Sequence, residues 1–381
     1  MVEQLLPELV KKGPTAVLVS QQVAGFAPLT AASFLLRKIV GSNDEEERQR
    51  LLQVLHEVNH AAVVQAAMHR DFETPNPAEL RVLLRAISVG FPGGNPNALQ
   101  QLSNQELIAY RERLLHWLSL LPRLDQDSAS DWANCATLIG ELKNPDDADL
   151  VYGFLRADEA RITEMVEARI REIESWEATG RSTNRPGPIV RTSYGNWHIA
   201  ALANIPGERC KQIMIELLSR PDHIGIAAHT LANCAGAQQI DLSGDFYSRP
   251  RFDLIYEKRS ARKPLDEQAV ECETVIKRAI DERLSKHPIN QSHPIFSALS
   301  ALARLSGPNN ESWILERLER YFLDARVESI LETITLAGGS LTGDRILPFV
   351  RNTIAFALSE PWNGSGPVGV VGDKDLGGLR R

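Results

Sequence analysis

The sequence predicts an all-α protein in which antiparallel helix pairs stack as an α-solenoid, with a compact helical bundle as the alternative arrangement. Two observations lead to this fold class. Apolar residues recur three or four positions apart along most of the chain, which is the period of an amphipathic helix, whereas alternating strand patterns are confined to 189–190 and 252–256. In addition, a helix rich in alanine and leucine, a turn, and a second amphipathic helix follow one another several times.

Composition sets the broad class of the protein. The chain has 381 residues, of which 43% are hydrophobic and 24% charged, values typical of an ordered globular protein or an extended repeat array. The net charge of −7 argues against general binding of polyanions, although local basic patches are compatible with it. The four cysteines are scattered and form no CxxC pair, so neither a zinc ribbon nor a redox motif is indicated and a reducing, cytoplasmic location is predicted.

The first part of the chain, 1–124, is predicted to be a separate helical region, either a cap or a subdomain. Residues 14–36 carry no charge, and a stretch of this length can span a bilayer. Because glutamines and prolines interrupt it, two short buried helices are expected instead, and membrane contact is the lesser alternative. Capping-box patterns at 42–45 and at Ser103 with Glu106 predict the starts of two further helices.

The second part, 125–360, contains the repeated helix pairs. Their turns are rich in proline, glycine, asparagine and aspartate, which end helices. The predicted helices are 132–142, one beginning at 150–155, 197–205, 210–218, 224–234, 293–305, 313–322 and 327–337. Trp132, Trp197 and Trp313 each open one of them, and are expected to fill the joints between helix pairs or, alternatively, to be exposed anchors for a partner.

Three segments carry a resemblance to a known family. They are WANCATLIGELKNPDDADLVYGFL, NWHIAALANIPGERCKQIMIELLSRPDHIGIAAHTLANCAG and HPIFSALSALARLSGPNNESWILERLERY. Over 131–349, with interruptions, the chain resembles degenerate HEAT-like (armadillo-type) α-helical repeats. The resemblance implies stacked pairs that bury each other's apolar faces and leave a long binding surface. Insertions are expected at 179–196 and 238–264, and the Gly-rich tail 361–381 is expected to be flexible. The leading functional hypothesis is a non-enzymatic scaffold that binds a protein partner and needs no cofactor.

One motif points to catalysis, the HExxH string from His56 to His60. Two histidines four positions apart share one face of a helix, where they can bind a zinc ion whose water Glu57 polarises. Glu79 follows His60 after eighteen residues, a spacing that resembles the third ligand of gluzincin metallopeptidases, and His69 is a further candidate. A zinc-dependent hydrolase is therefore an alternative function. The competing interpretation is the solvated or half-buried face of an amphipathic helix.

The two insertions are basic and aromatic. Residues 246–263 contain six basic and two acidic residues, a net charge of +4, and 179–196 contains three arginines and no acid. Guanidinium groups suit phosphate and aromatic rings stack on bases, so nucleic-acid binding is a second alternative. The competing interpretation is a solvated loop that pairs with the acidic body of the protein. The candidate binding residues are Arg181, Arg185, Arg191, Tyr194, Arg249, Arg251, Tyr256, Lys258 and Arg259.

Overall fold

The computed structural model of the chain describes residues 22–23, 25–69, 72–87, 99, 102–125, 127–178, 193–235, 267–286, 293–306, 310–321 and 348. Within these residues the regular secondary structure is helical, with thirteen α-helices and no strand, so the all-α prediction is confirmed. The helices are α1 (Pro28–Gly41), α2 (Glu45–His56), α3 (His60–Ala67), α4 (Pro77–Ile87), α5 (Asn104–Leu120), α6 (Ala129–Glu141), α7 (Ala148–Ala178), α8 (Gly195–Asn204), α9 (Glu208–Leu218), α10 (Ile224–Cys234), α11 (Glu267–Lys286), α12 (His293–Ser306) and α13 (Glu311–Tyr321).

Local chemistry sets the helix ends close to the predicted positions, although a cap by Asp44 takes the place of the capping box predicted at 42–45. Ser103 and Glu106 form the predicted capping box at the start of α5. Asp44 caps α2 by accepting a hydrogen bond from the backbone N–H of Glu46, and Asn144 caps the 3₁₀ turn Pro145–Asp147 before α7 in the same way. The helix predicted at 224–234 is α10, with the same bounds. The helix predicted at 327–337 lies outside the described residues, as do most of the two insertions and the whole tail.

From α4 onward the helices pack in two rows. The even row, α4, α6, α8, α10 and α12, makes successive contacts from each member to the next. The odd row consists of α5, α7, α9, α11 and α13, in which α7 contacts α9 and α9 contacts α11. Helices adjacent in the chain connect the rows, for example α6 with α7, α9 with α10, and α11 with α12. Each helix is therefore covered by its nearest neighbours along the chain.

Neighbours within the odd row run parallel. Arg209 at the start of α9 is 2.8 Å from Asp149 at the start of α7, and Arg220, after the end of α9, binds Glu159 farther along α7. Lys211 and Glu271 join the beginnings of α9 and α11 at 2.5 Å. Since helices two positions apart are parallel, chain neighbours between them are antiparallel, as in a series of helical hairpins.

In the even row, α6 and α8 approach very closely. A Cβ atom placed on Gly140 would lie 2.5 Å from the backbone oxygen of Ala201, inside any allowed contact. Only glycine permits this crossing, because every other residue would bring its side chain into the backbone of α8. The small residues of the predicted helix 132–142 thus have a direct packing role.

Two carboxylates tie the first helix pairs together. Asp131 of α6 is buried and accepts a hydrogen bond of 2.9 Å from Arg81 of α4. Burial raises the pKa of Asp131, and the hydrogen bond from Arg81 opposes that rise. Arg111 of α5 makes two hydrogen bonds to Asp147, which directly precedes α7, at 2.9 and 2.5 Å. Each of these pairs orients one helix pair on the next, since a buried carboxylate needs its partner in one geometry.

The N-terminal helices continue the same core. Helix α1 contacts α2, α3 and α4, and α4 contacts α6. A single cluster of buried apolar side chains extends from Val23 to Leu315 across all these helices. Among the described residues, none of the helices combines the length and the apolar character that crossing a bilayer requires.

Candidate functional site

The HExxH string does not lie on one helix. Helix α2 ends at His56 and α3 begins at His60, and Asn59 caps α3 by accepting a hydrogen bond of 2.9 Å from the backbone N–H of Ala61. The prediction that the two histidines share a helical face is therefore wrong. The physical reason is local: an asparagine side chain at an N-cap competes with continuation of the helix and starts a new one.

The other proposed zinc ligands already have structural roles. His60 is largely buried, and its Nε2 lies 2.9 Å from the carbonyl oxygen of Ile87, so that nitrogen donates. Burial lowers the pKa of His60, and the bond to Ile87 opposes this effect. Glu79 accepts a hydrogen bond of 2.8 Å from the backbone of Asn76 and so caps α4, while Glu57 is exposed. In the part of the chain that the structure describes, no three His, Cys, Asp or Glu side chains are grouped as metal ligands. The side chain of His56 lies outside the described residues, so the zinc site stays a prediction.

Of the candidate nucleic-acid-binding residues, Tyr194 alone lies within the described residues. Arg181, Arg185, Arg191, Arg249, Arg251, Tyr256, Lys258 and Arg259 lie outside them. The ring of Tyr194 packs edge-on against Trp197 with 6.2 Å between centroids, and Trp197 is 46% exposed. An accessible aromatic pair thus marks the start of α8, where the first insertion re-enters the described fold.

The three tryptophans differ in their roles. Trp132 packs edge-on against Phe154 of α7 at 5.3 Å, and Trp313 lies against the core with the guanidinium of Arg317 at 3.9 Å from its ring centroid. These two fill joints between helices, as the preferred interpretation predicts. Trp197 is instead exposed, which is the position expected of an anchor for a partner.

Below the aromatic pair is a buried carboxylate that sequence reasoning missed. Asp158 is 1% exposed, pairs with Arg161 at 2.7 Å and accepts a hydrogen bond of 2.9 Å from the backbone of Tyr194. A signal for it exists in the sequence, because Asp158 shares the helical face of Val151 and Leu155. Its role is to fix the start of α8 on α7.

A concave site of about 250 Å³ lies between α9 and α11. We call it the α9–α11 groove. Aliphatic side chains line its floor, and polar and charged groups form its rim and supply more than half of its accessible surface. The apolar lining consists of Ile215, Leu218, Pro221, Ile224, Val275 and Ala279, and the rim of Ser219, Arg278, Glu282 and Arg283. Lys211 and Glu271 close the gap between the two helices near their beginnings, and the groove opens toward their ends.

The turn that follows α9 is held by a network of charged and polar groups. Both oxygens of Glu159 bind Arg220, and His223 Nε2 lies 3.0 Å from the same carboxylate. Burial alone would raise the pKa of Glu159, but hydrogen bonds from His223 and Arg220 outweigh it and lower the pKa to about 2. Arg220 also reaches the hydroxyl oxygen of Tyr152 at 3.3 Å. Because Ser219 and Pro221 belong to this turn, the network fixes one wall of the groove.

Arg278 distinguishes the rim of the groove. Its side chain is exposed and, in the described part of the chain, forms neither an ion pair nor a hydrogen bond. Several odd-row arginines are paired, such as Arg209 with Asp149 and Arg317 with Asp281. The groove therefore combines an apolar floor with a cation that is available to a ligand.

Sequence reasoning also missed α11 and with it the groove. The signal was present, because the buried residues of this helix follow a helical period. They are Ala269, Cys272, Ile276, Ile280 and Leu284. The groove itself has no sequence signature, since its two walls come from helices separated by the second insertion.

Neither the family models, nor the curated proteins, nor the solved structures contain a match to this chain.

Proposed function

We propose that the protein is a non-enzymatic α-solenoid scaffold, built from HEAT-like helix pairs, that binds a protein partner. The observation that carries this proposal is the local pattern of helix contacts. In the described part of the chain, no helix makes an extensive contact with a helix more than three positions away in the chain. A compact bundle closes its core by bringing distant helices together, whereas stacked pairs contact only their neighbours.

The ion pairs between successive helix pairs support the same arrangement. Asp149 with Arg209, Glu271 with Lys211, and Asp281 with Arg317 each connect one odd-row helix to the next. An isolated surface pair contributes little stability, about 0–1 kcal/mol, so these pairs favour one stacking register more than they add to stability. A row of this kind exposes a continuous helical surface to partners.

Small-angle X-ray scattering tests the architecture. A compact domain of this length has a radius of gyration of about 21 Å. We expect a clearly larger value and an elongated distance distribution for the purified monomer. A radius of gyration near the compact value would contradict the solenoid and favour a bundle.

Reconstitution tests the function. Candidate partners identified by affinity purification are expressed separately and mixed with the purified protein, and the mass of the complex is measured by light scattering. We expect a complex of defined stoichiometry, and a competing fragment of the partner should dissociate it. Failure of every purified candidate to form such a complex would contradict the scaffold function.

Nucleic-acid binding is a second candidate, favoured by the accessible Tyr194–Trp197 pair beside the basic insertion. Stacking of a base on an aromatic ring contributes about 1–3 kcal/mol, so Trp197→Ala should weaken binding of a labelled single-stranded RNA about tenfold. Phe26→Ala removes an even more exposed aromatic ring elsewhere, 83% against 46% for Trp197, and serves as the control. Binding that does not weaken steeply with added salt would argue against this function.

A further inference from the structure

We propose that the α9–α11 groove docks an acidic amphipathic helix of a protein partner, an inference that rests on the proposed scaffold function. The apolar face of that helix would enter the groove, and its carboxylates would meet the rim at Arg278. This binding mode, a helix lying in an apolar groove, is a common one in protein recognition.

The size of the groove selects the kind of occupant. Pockets for cofactors and drug-sized molecules measure about 300–1,000 Å³ and enclose most of the ligand. The α9–α11 groove is smaller, at about 250 Å³, and lies open between two helices. It has room for one or two large apolar side chains that belong to a longer segment, and such buried anchors supply most of the affinity at protein interfaces.

The walls of the groove are preorganised. Lys211 and Glu271 hold the two helices together at one end, and the Glu159–Arg220 pair holds the turn at the other. Leu218 and Ile224 on the floor are buried, while Val275 and Ala279 on the α11 wall are only half-buried. Docking would therefore cover apolar surface without first opening the protein, which reduces the cost of binding.

Charge selects an acidic partner. Arg278 and Arg283 outweigh Glu282 on the rim, whereas the whole chain has a net charge of −7. A carboxylate that meets Arg278 forms a charge-assisted hydrogen bond with a side chain that has no ion-pair or hydrogen-bond partner among the described residues. A basic partner would place a like charge beside this arginine, and such contacts suppress binding.

A charge-swap experiment with peptides tests the assignment. The probes are two fluorescein-labelled helical peptides that carry leucines on one face and either glutamates or lysines on the other. Fluorescence anisotropy is expected to show that the full-length protein binds the glutamate peptide at least about tenfold more tightly than the lysine peptide. Arg278→Glu should weaken the glutamate peptide about tenfold and strengthen the lysine peptide, a reversal that loss of folding cannot produce.

Two further variants separate the groove from general effects. Arg156→Glu changes an exposed arginine on α7 that likewise lacks a partner in the described residues, and it should leave both affinities unchanged. Ala279→Trp fills the groove and should weaken both peptides. Thermal unfolding of each variant confirms that it folds.

The outcomes distinguish this inference from the scaffold function. Equal binding of the two peptides, equal effects of the Arg156 and Arg278 variants, or no binding at all would overturn the groove assignment. If a reconstituted partner complex then persists and is insensitive to Ala279→Trp, the scaffold function stands and its docking surface lies elsewhere. If no partner complex forms and scattering indicates a compact particle, the scaffold function itself fails.

Discussion

The even and odd rows of helices solve the same packing problem in different ways. In the even row, nine of the eleven residues of α10 are buried, and most of them are small or aliphatic. In the odd row, α11 is almost twice as long but buries only a narrow apolar stripe, and its exposed face carries long charged side chains. Small residues let helices approach closely, whereas the odd-row helices are connected mainly through ion pairs. The odd row therefore has space for a groove, because its long side chains keep neighbouring helices apart.

The largest expected effect of a substitution is at the closest crossing of the even row. Gly140→Val places side-chain atoms inside the backbone of α8, and we expect a loss of about 3 kcal/mol in the free energy of unfolding. Gly153 of α7 is the matched control, because a Cβ atom there meets no other atom within 4 Å. Gly153→Ala should stabilise the protein by up to about 1 kcal/mol, since alanine favours the helix. Urea unfolding measures both, and similar losses at the two glycines would contradict the comparison.

The next effect concerns one arginine from each row. Arg304 of α12 is buried and donates hydrogen bonds of 2.8 Å to His229 Nδ1 and to Asn233 Oδ1. Arg304→Met removes both hydrogen bonds, one of them to the buried His229, and we expect a loss of about 2–3 kcal/mol in the free energy of unfolding. Arg317→Met in α13 breaks a pair with a half-exposed aspartate and should cost about 1 kcal/mol or less. Chemical denaturation measures the free energy of unfolding of both variants. Equal losses for Arg304→Met and Arg317→Met would refute the predicted order.

Acid should reduce the stability contributed by residues of the two rows in different pH ranges. Burial lowers the pKa of His198 in α8 to about 4, so the unfolded chain takes up a proton first and stability falls as the pH drops from about 6.5 toward 4. The loss is at most about 1.4 kcal/mol per pH unit for each such histidine. In the odd row, the depressed pKa of Glu159 contributes stability above about pH 4.5 that is lost toward pH 2.

Variants of His198 and Glu159 test which residue causes the loss of stability in each pH range. His198→Phe should flatten the decline in stability between pH 6.5 and 4. Glu159→Gln should be less stable than the wild type at neutral pH, and that difference should vanish near pH 2. Unfolding measured across the pH range tests both, and a Glu159→Gln difference that persists at pH 2 would contradict the role of this carboxylate.

The smallest effect contrasts two alanines. Ala301 of α12 is completely buried, whereas Ala279 lines the α9–α11 groove and is half-buried. Ala301→Ser buries a hydroxyl in the even row and should cost about 1–2 kcal/mol. Ala279→Ser should change stability by less than about 0.5 kcal/mol, because water reaches the groove. Thermal unfolding measures the stability of both serine variants. An equal loss of stability in the two would mean that the groove is closed in solution.

The errors of sequence reasoning have identifiable causes. The HExxH string was assigned to one helix because its apolar neighbours keep a helical period, but the cap at Asn59 divides that period in two. Asp158 was overlooked because a charge within a helix usually faces water, whereas here a backbone N–H from 36 residues later satisfies it. The predicted capping box of Ser103 with Glu106 is confirmed, because this signal acts within a few residues.

Local sequence signals predict the all-α class, the observed bounds of α10 and, within a few residues, the positions of several other described helices, because periodicity and capping are local properties of the chain. The packing of the helices decides that Gly140 meets Ala201, that α9 and α11 run side by side, and that Arg278 has no ion-pair partner among the described residues. These features depend on distances between helices that lie far apart in sequence. Side-chain volume and charge set those distances only after every neighbouring helix is in place.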